Sequence, residues 1–381
     1  MNKHGWTYKK LGEVADIVSG STPKTNVPEF WGGNHYWVTP AELGDFVYIG
    51  ETERTITDEA LSKTNLTLMP IGTVLLSSRA PIGKTAITTA PMYCNQGFKN
   101  IICSSSLNNK FTYYYIGHIV PKLQSLGRGA TFKEISKSIV EKTIIPVPPM
   151  AEQEAIVAEL DEINETIAEL QQQIADLDTL AQSTFYDMFG DPITNPKGWE
   201  VKKLGDVAHY SSTRVSATEL NPSNYVGVDN LLKDKQGKID ASFYPTDGNV
   251  TAYKIGDTLL GNIRPYLKKI WYADSNGGAS GDVLVIQVNE DMKSQIHPFF
   301  IYYTLSLDAF FDFDMLHSKG AKMPRGSKPE IMKFPICKPP LALQQEFASR
   351  VEAIEAAKSE LNAQIAEMQT LLASRMDYYF D

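Results

Sequence analysis

Cysteine is scarce. The chain has 381 residues and three cysteines, Cys94, Cys103 and Cys337, set far apart. That excludes a disulfide framework, gives no zinc-ligand spacing, and suits a reducing cytoplasm. Six histidines are scattered with no two at ligand spacing, so no metal centre is expected. No run approaches the ~18 apolar residues that a membrane span needs, so no membrane partner is expected. The opening stretch MNKHGWTYKK has no apolar core, so no secretory leader is expected.

Catalytic motifs are missing as well. SRAPIGKT at Ser78–Thr85 ends like a phosphate loop, but Ser78 stands where the first glycine is required. GSTPKT at Gly20–Thr25 lacks the second glycine altogether. No G-x-G-x-x-G follows a strand. An adenine methyltransferase would carry Asp/Asn-Pro-Pro-aromatic. Here the Pro-Pro pairs read Val147-Pro148-Pro149-Met150 and Lys338-Pro339-Pro340-Leu341, which end a strand and start a helix. The carboxylate pairs Glu51/Glu53 and Asp312/Asp314 read as solvated charges.

What the chain does have is two long heptad seams. In the stretch 151–189, Ile156, Leu160, Ile163, Ile167, Leu170, Ile174, Leu177 and Ala181 recur at alternating steps of four and three. That is the pattern of a helix packed along another helix. Prolines precede it, and Gly190 and Pro192 close it. In 342–381, Phe347, Val351, Ile354, Lys358, Leu361, Ile365, Met368 and Leu372 repeat the seam, each 191 positions after its counterpart. Lys358 interrupts it. Such a polar residue either fixes register or partner, or snorkels at the seam edge.

The globular parts repeat too. GWTYKKLGEVA at Gly5–Ala15 returns as GWEVKKLGDVA at Gly198–Ala208, with 8 of 11 positions identical. IGTVLLSSRAP at Ile71–Pro81 returns loosely as IGDTLLGNIRP at Ile255–Pro265. The chain therefore reads as globular domain 1–150, helix 151–189, globular domain 190–341, helix 342–381. Each globular half is mixed α/β. Strands are expected at 72–77, 99–103, 143–147, 257–260, 283–288 and 332–336, and helical pieces at 110–126 and 298–316. A helix of this length is a rod of ~60 Å. A domain of 150 residues has a radius of gyration of only ~15 Å. The second rod is therefore expected to run back antiparallel along the first. The result is a coiled-coil bar with a head at each end and pseudo-twofold symmetry.

Net charge is −9, but it is unevenly spread. Residues 1–150 hold 15 basic and 11 acidic side chains, and 190–341 hold 18 and 17. Residues 151–189 hold 10 acidic and no basic ones, and 342–381 hold 7 and 3. The acidity sits on the rods, so the heads are free to take an anionic ligand. Basic residues cluster in glycine-bearing loops of both heads: Lys24, Arg79, Lys84, Lys99, Arg128 and Lys133, then Asn262, Arg264, Lys268, Lys269, Lys319, Lys322 and Arg325. Arg and Asn read guanine and adenine edges bidentately, while Lys mostly holds phosphate.

These features together resemble the specificity subunit of a type I restriction–modification enzyme. The resemblance rests on the doubled GW-x-x-KKLG-x-VA and on SGSTPKT, WVTPAEL (Trp37–Leu43), RAPIGK and NQGFKN (Asn95–Asn100). It also rests on GDTLLGNIRPYLKK, P-x-PP-x-x-EQ (Pro146–Gln153) and PPLALQQEF (Pro339–Phe347). It implies that each head is a target-recognition domain reading one half of a split double-stranded DNA site. It implies that the bar docks two methyltransferase subunits, which restriction subunits join. It also implies no catalysis by this chain: S-adenosylmethionine, ATP and magnesium would belong to the partner subunits. Outside the quoted blocks the halves differ, so different half-sites are expected. A scaffold dimerising through its heptads, an enzyme with unrecognised motifs and an RNA-binding module are the competing readings.

Overall fold

The computed structural model describes residues 5–79, 81–129 and 133–381. Residues 1–4, in the opening stretch read above, lie outside it. The chain divides into two compact units, Met1–Gln171 with Asn362–Asp381, and Gln172–Leu361. The long helices Met150–Phe189 and Leu341–Phe380 each contribute one end to each unit.

Unit one is built on a five-stranded sheet in the order Ala15–Ser19, Lys99–Cys103, Val74–Leu76, Thr85–Thr88, Tyr48–Ile49. Alternate side chains face opposite ways, as a pleat requires. Val74, Leu76, Ile87 and Ile101 pack with Phe111, Tyr115, Ile156, Leu160 and Phe380 on the helical side. Leu75 and Ala86 pack with Val38, Met69, Met92 and Phe98 on the other. A smaller sheet of Trp31–Val38, Thr55–Ile56 and Met92–Cys94 covers that second face.

Unit two repeats the plan with a four-stranded sheet: Ala208–Tyr210, Val283–Val288, Thr258–Gly261, Ile270–Tyr272. Leu260, Ile270, Leu284 and Ile286 face the aromatics Phe185, Phe189, Phe300 and Phe347. Leu259, Trp271, Val283 and Val285 face the opposite core. The expected helical pieces are each broken in two, at Ile119 and Leu307: Asn109–His118 and Val120–Leu126, Pro298–Ser306 and Asp308–His317.

The duplication extends to hydrogen bonds. Gln153, just inside the first long helix, accepts from Asn108 N–H (2.8 Å) and donates to the carbonyls of Ser106 and Pro148. Gln344, its counterpart, accepts from His297 N–H (2.8 Å) and donates to those of Gln295 and Pro339. Both glutamines are fully buried. Each ties the start of a long helix to the start of a head helix.

Within unit two the long helices run antiparallel, because Asp178 meets Lys358 and Phe185 meets Phe347. Lys358 is 18% exposed and bonds Asp178 at 2.7 Å and Glu355 at 2.9 Å, so the break in the seam is an ion pair across the helices. Within unit one Arg375 donates to Glu159 (2.9 Å). Gly190 ends the first helix at φ +79°, its N–H bonding Tyr186.

Candidate nucleic-acid interface

Each unit carries the same loop device. In unit one the strand Val74–Leu76 runs into a loop whose Ser78 N–H donates to Gly97 and whose Ser78 carbonyl accepts from Ile135 N–H. Beside it, Arg128 and Glu134 exchange backbone hydrogen bonds of 3.0 and 2.9 Å and close a short hairpin. In unit two Asn262 N–H donates to Asp282, and its carbonyl accepts from Gly326 N–H. Lys319 and Arg325 close the matching hairpin at 2.9 Å each way. Arg128 and Lys319, Gly129 and Gly320, and Glu134 and Arg325 are all 191 positions apart. Both glycines have positive φ, +137° and +100°, which the turn requires.

The side chains on this shared backbone differ in charge. Glu134 gathers cations: Arg79 at 3.8 Å and Lys99 at 3.4 Å. Its counterpart Arg325 instead pairs with Asp282 at 2.9 Å. Arg264 and Lys268 flank a tight turn and both adopt left-handed φ, +53° and +49°. Asp234 and Lys235, also left-handed, bond that turn through the Leu267 and Lys268 carbonyls. Four non-glycine residues in this conformation are strained, and such strain gathers at functional loops. One of them, Arg264, lines an open cavity of ≈ 500 Å³ together with Asp229, Asn230, Phe243, Lys269, Asp282 and Met323 among others. Phe243 is 83% exposed.

The thirteen residues chosen from sequence fall into two sets. Lys24, Arg128, Lys133, Arg264, Lys319, Lys322 and Arg325 are exposed. Arg79 and Lys268 are half-buried, Lys268 holding Asp308 at 2.9 Å. The other four are built into the scaffold. Lys84 donates to the carbonyls of Leu43 (2.7 Å) and Pro40 (3.3 Å). Lys99 is buried against Glu134. Lys269 donates to the Val228 carbonyl (2.6 Å), and its burial pulls the ammonium below its ordinary pKa. The Asn262 side chain is buried, and its carboxamide oxygen has no donor.

The reading of Asp314 as a solvated charge is corrected. It is 1% exposed, and neither carboxylate oxygen has a hydrogen-bond partner. Burial raises its pKa from 3.8 to about 6, against a smaller lowering by His317. A Cβ on Gly326 would lie 2.6 Å from Asp314 Oδ1 and 2.8 Å from Asn262 Oδ1, so a larger residue at this hairpin base would have to displace one of them. The signal was present: Asp314 lies three and four residues after the core residues Phe311 and Phe310. Sequence reasoning also missed Arg54, which is exposed and stacks on Trp31 at 3.7 Å. Among the described residues one group, His118, Asp377 and Asp381, has its ligand atoms within 4.8 Å of one another. Its acids are exposed, and His118 Nε2 lies 2.9 Å from Asp381 Oδ1, a contact that holds the chain's last turn. No described helix is long and apolar enough to cross a membrane.

The comparisons agree with one another. A subunit from Methanocaldococcus jannaschii, "Type I restriction enzyme MjaIX specificity subunit", is 35% identical over 226 residues. That alignment takes in 54% of this chain and 52% of the relative, so the chain spans about half of that relative's length. The solved S subunit of the M. genitalium type I restriction-modification system shares the fold at a TM-score of 0.55 and 15% identity, with 99% and 96% of the two chains covered. A second solved chain, described under "complex assembly" and "conformational transition of the type I R-M system", gives 0.63 and 19%, covering 99% and 98%. Residues 3–178 and 196–368 both match the type I restriction modification DNA specificity domain, and the chain belongs to that family.

Proposed function

We propose that this chain is the DNA-reading specificity subunit of a type I restriction–modification enzyme. Residues 1–150 and 190–341 are its two target-recognition domains, and the helices 151–189 and 342–381 set their separation. The observation that carries this reading is the hairpin-and-loop device built twice on one backbone plan with different side chains. Ser78 is replaced by Asn262, Arg128 by Lys319 and Glu134 by Arg325. Two readers of common build and unlike chemistry suit a split, asymmetric site in double-stranded DNA. Two contacts on one face of B-form DNA lie about 34 Å apart or a little more, which leaves an unread spacer between them.

The exposed residues Lys24, Arg128, Lys133, Arg264, Lys319, Lys322 and Arg325, with the half-buried Arg79 and Lys268, make the contacts. Lys84, Lys99, Asn262 and Lys269 shape the loops that present them. Two methyltransferase subunits dock on the acidic helices, and restriction subunits join them in the cytoplasm. The chemistry, with S-adenosylmethionine, ATP and magnesium, belongs to those subunits, and this chain is not itself an enzyme.

The test is to map methylated adenines in host DNA with and without the chain. A bipartite motif should vanish with it. Exchange of residues 1–150 for those of another family member should change one half of the motif only. A motif that survives deletion, or changes in both halves, overturns the reading.

A further inference from the structure

The two units differ at the outer edge of the main sheet. In unit one the strand Tyr48–Ile49 pairs parallel to Thr85–Thr88, with Ile87 N–H donating to Val47 (2.7 Å) and Thr89 N–H to Ile49 (2.8 Å). In unit two nothing pairs there: Ile270–Tyr272 is the edge of the sheet. The register is otherwise conserved. Thr88 N–H bonds Thr73, and Ala273 N–H bonds Asp257 in the same way. Tyr272 N–H and Asp274 N–H therefore point outward like those of Ile87 and Thr89, and no protein acceptor meets them. An unpaired sheet edge of this kind is a template for an added strand.

A second difference lies beside that edge. Asn108 and His297 hold equivalent places, since each N–H bonds the matching glutamine. Counting on from them, Tyr113 and Tyr114 correspond to Tyr302 and Tyr303, and Lys110 to Phe299. In unit one Lys110 bonds Asp161 at 2.6 Å, and its ammonium lies 5.3 Å from the Tyr48 ring. Tyr114 donates to the same carboxylate. In unit two the lysine is gone. The acid is kept, as Glu352 on the long helix, and is exposed with no ion pair. An open cavity of ≈ 690 Å³ remains, floored by Tyr272, Phe299, Tyr302 and Tyr303 and edged by Asp274, Glu352 and Glu355.

Unit one thus shows what fills such a place: a short parallel strand and a basic side chain. Every residue of unit two is described, and none supplies the strand or a cation for Glu352; Lys358 is taken up by Glu355 and Asp178. The unpaired carboxylates Asp274 and Glu352 disfavour a phosphate backbone and favour a cation over aromatic rings. We propose that this cavity docks an extended segment of the methyltransferase subunit. The segment pairs as a strand along Ile270–Tyr272 and presents a lysine or arginine to Glu352. The proposal rests on the assembly described under Proposed function. It adds to the helices a contact on the second head alone, so the two methyltransferase copies are held unequally.

The test uses the full chain and the purified methyltransferase subunit, with hydrogen exchange followed in peptides spanning 268–276. Association should slow exchange at Tyr272 and Asp274. Glu352→Lys should weaken association about tenfold, as should Phe299→Lys, which restores the internal lysine of unit one. Glu352→Lys changes an exposed residue and should melt as the parent does. A complex that forms without protecting 268–276, or that binds Glu352→Lys as tightly as the parent, overturns this inference and leaves the assembly intact. Failure of the parent chain to form any complex overturns both.

Discussion

Asp314→Asn should stabilise unit two, with a pH dependence of definite sign. The carboxylate is buried without a donor, and burial lifts its pKa from 3.8 to about 6. The folded state therefore holds a proton that the unfolded chain releases. That proton-linked stability is fully present below about pH 4 and is lost as pH rises through about 6. At pH 7.5 the penalty approaches about two pKa units, or about 3 kcal/mol. An amide carries no charge to desolvate. For a unit of this size such a gain raises Tm by roughly 6–12 °C. Melts followed by tryptophan fluorescence at pH 4, 5, 6 and 7.5 should show the variant's advantage growing with pH and nearly absent at pH 4. An advantage that is absent at pH 7.5, or equal at every pH, would refute the assignment of a buried, unpaired carboxyl.

Gly326→Ala should destabilise the same hairpin base by about 1–3 kcal/mol, because a methyl group must displace Asp314 or Asn262; urea unfolding measures it. Arg128→Ala and Lys322→Ala should each leave Tm unchanged and lower the slope of log affinity against log salt by about 1, read from DNA binding at graded salt. Lys84→Ala should do the reverse, lowering Tm with little change in salt slope, since its ammonium holds the carbonyls of Pro40 and Leu43. One additional helical turn in the middle of the first long helix should lengthen the unread spacer in the methylated motif. An unchanged spacer would remove the helices' role as a ruler.

The long helices were legible because a heptad seam is a one-dimensional signal: Ile156, Leu160, Phe347 and Val351 recur on schedule and are buried. The sheet strands were legible for a similar reason, in that Val74–Leu76 and Val283–Val288 are short apolar runs bounded by turns. The loops were harder, because a lysine in a glycine-rich stretch reads the same whether its ammonium meets solvent or a carbonyl. Lys84 and Lys269 were chosen beside Lys322 on equal terms, and only the fold separates them. Asp314 was misread because it was judged with Asp312 as a pair. Two residues apart on a helix, they face nearly opposite ways, and one of them had to lie among the phenylalanines.

The pair Glu134 and Arg325 shows how one backbone plan can carry two charge arrangements. Both residues sit at the closing position of the same hairpin, with the same backbone bonds to Arg128 and Lys319. The acid draws Arg79 and Lys99 toward the hairpin, while the base draws Asp282. A change of sign at one position thus re-sorts the charges that line the neighbouring loop, and the backbone ladder beneath it stays in place. The parts that repeat faithfully are the glutamines at the helix starts and the hairpin glycines. Divergence has gone into the residues those parts hold up.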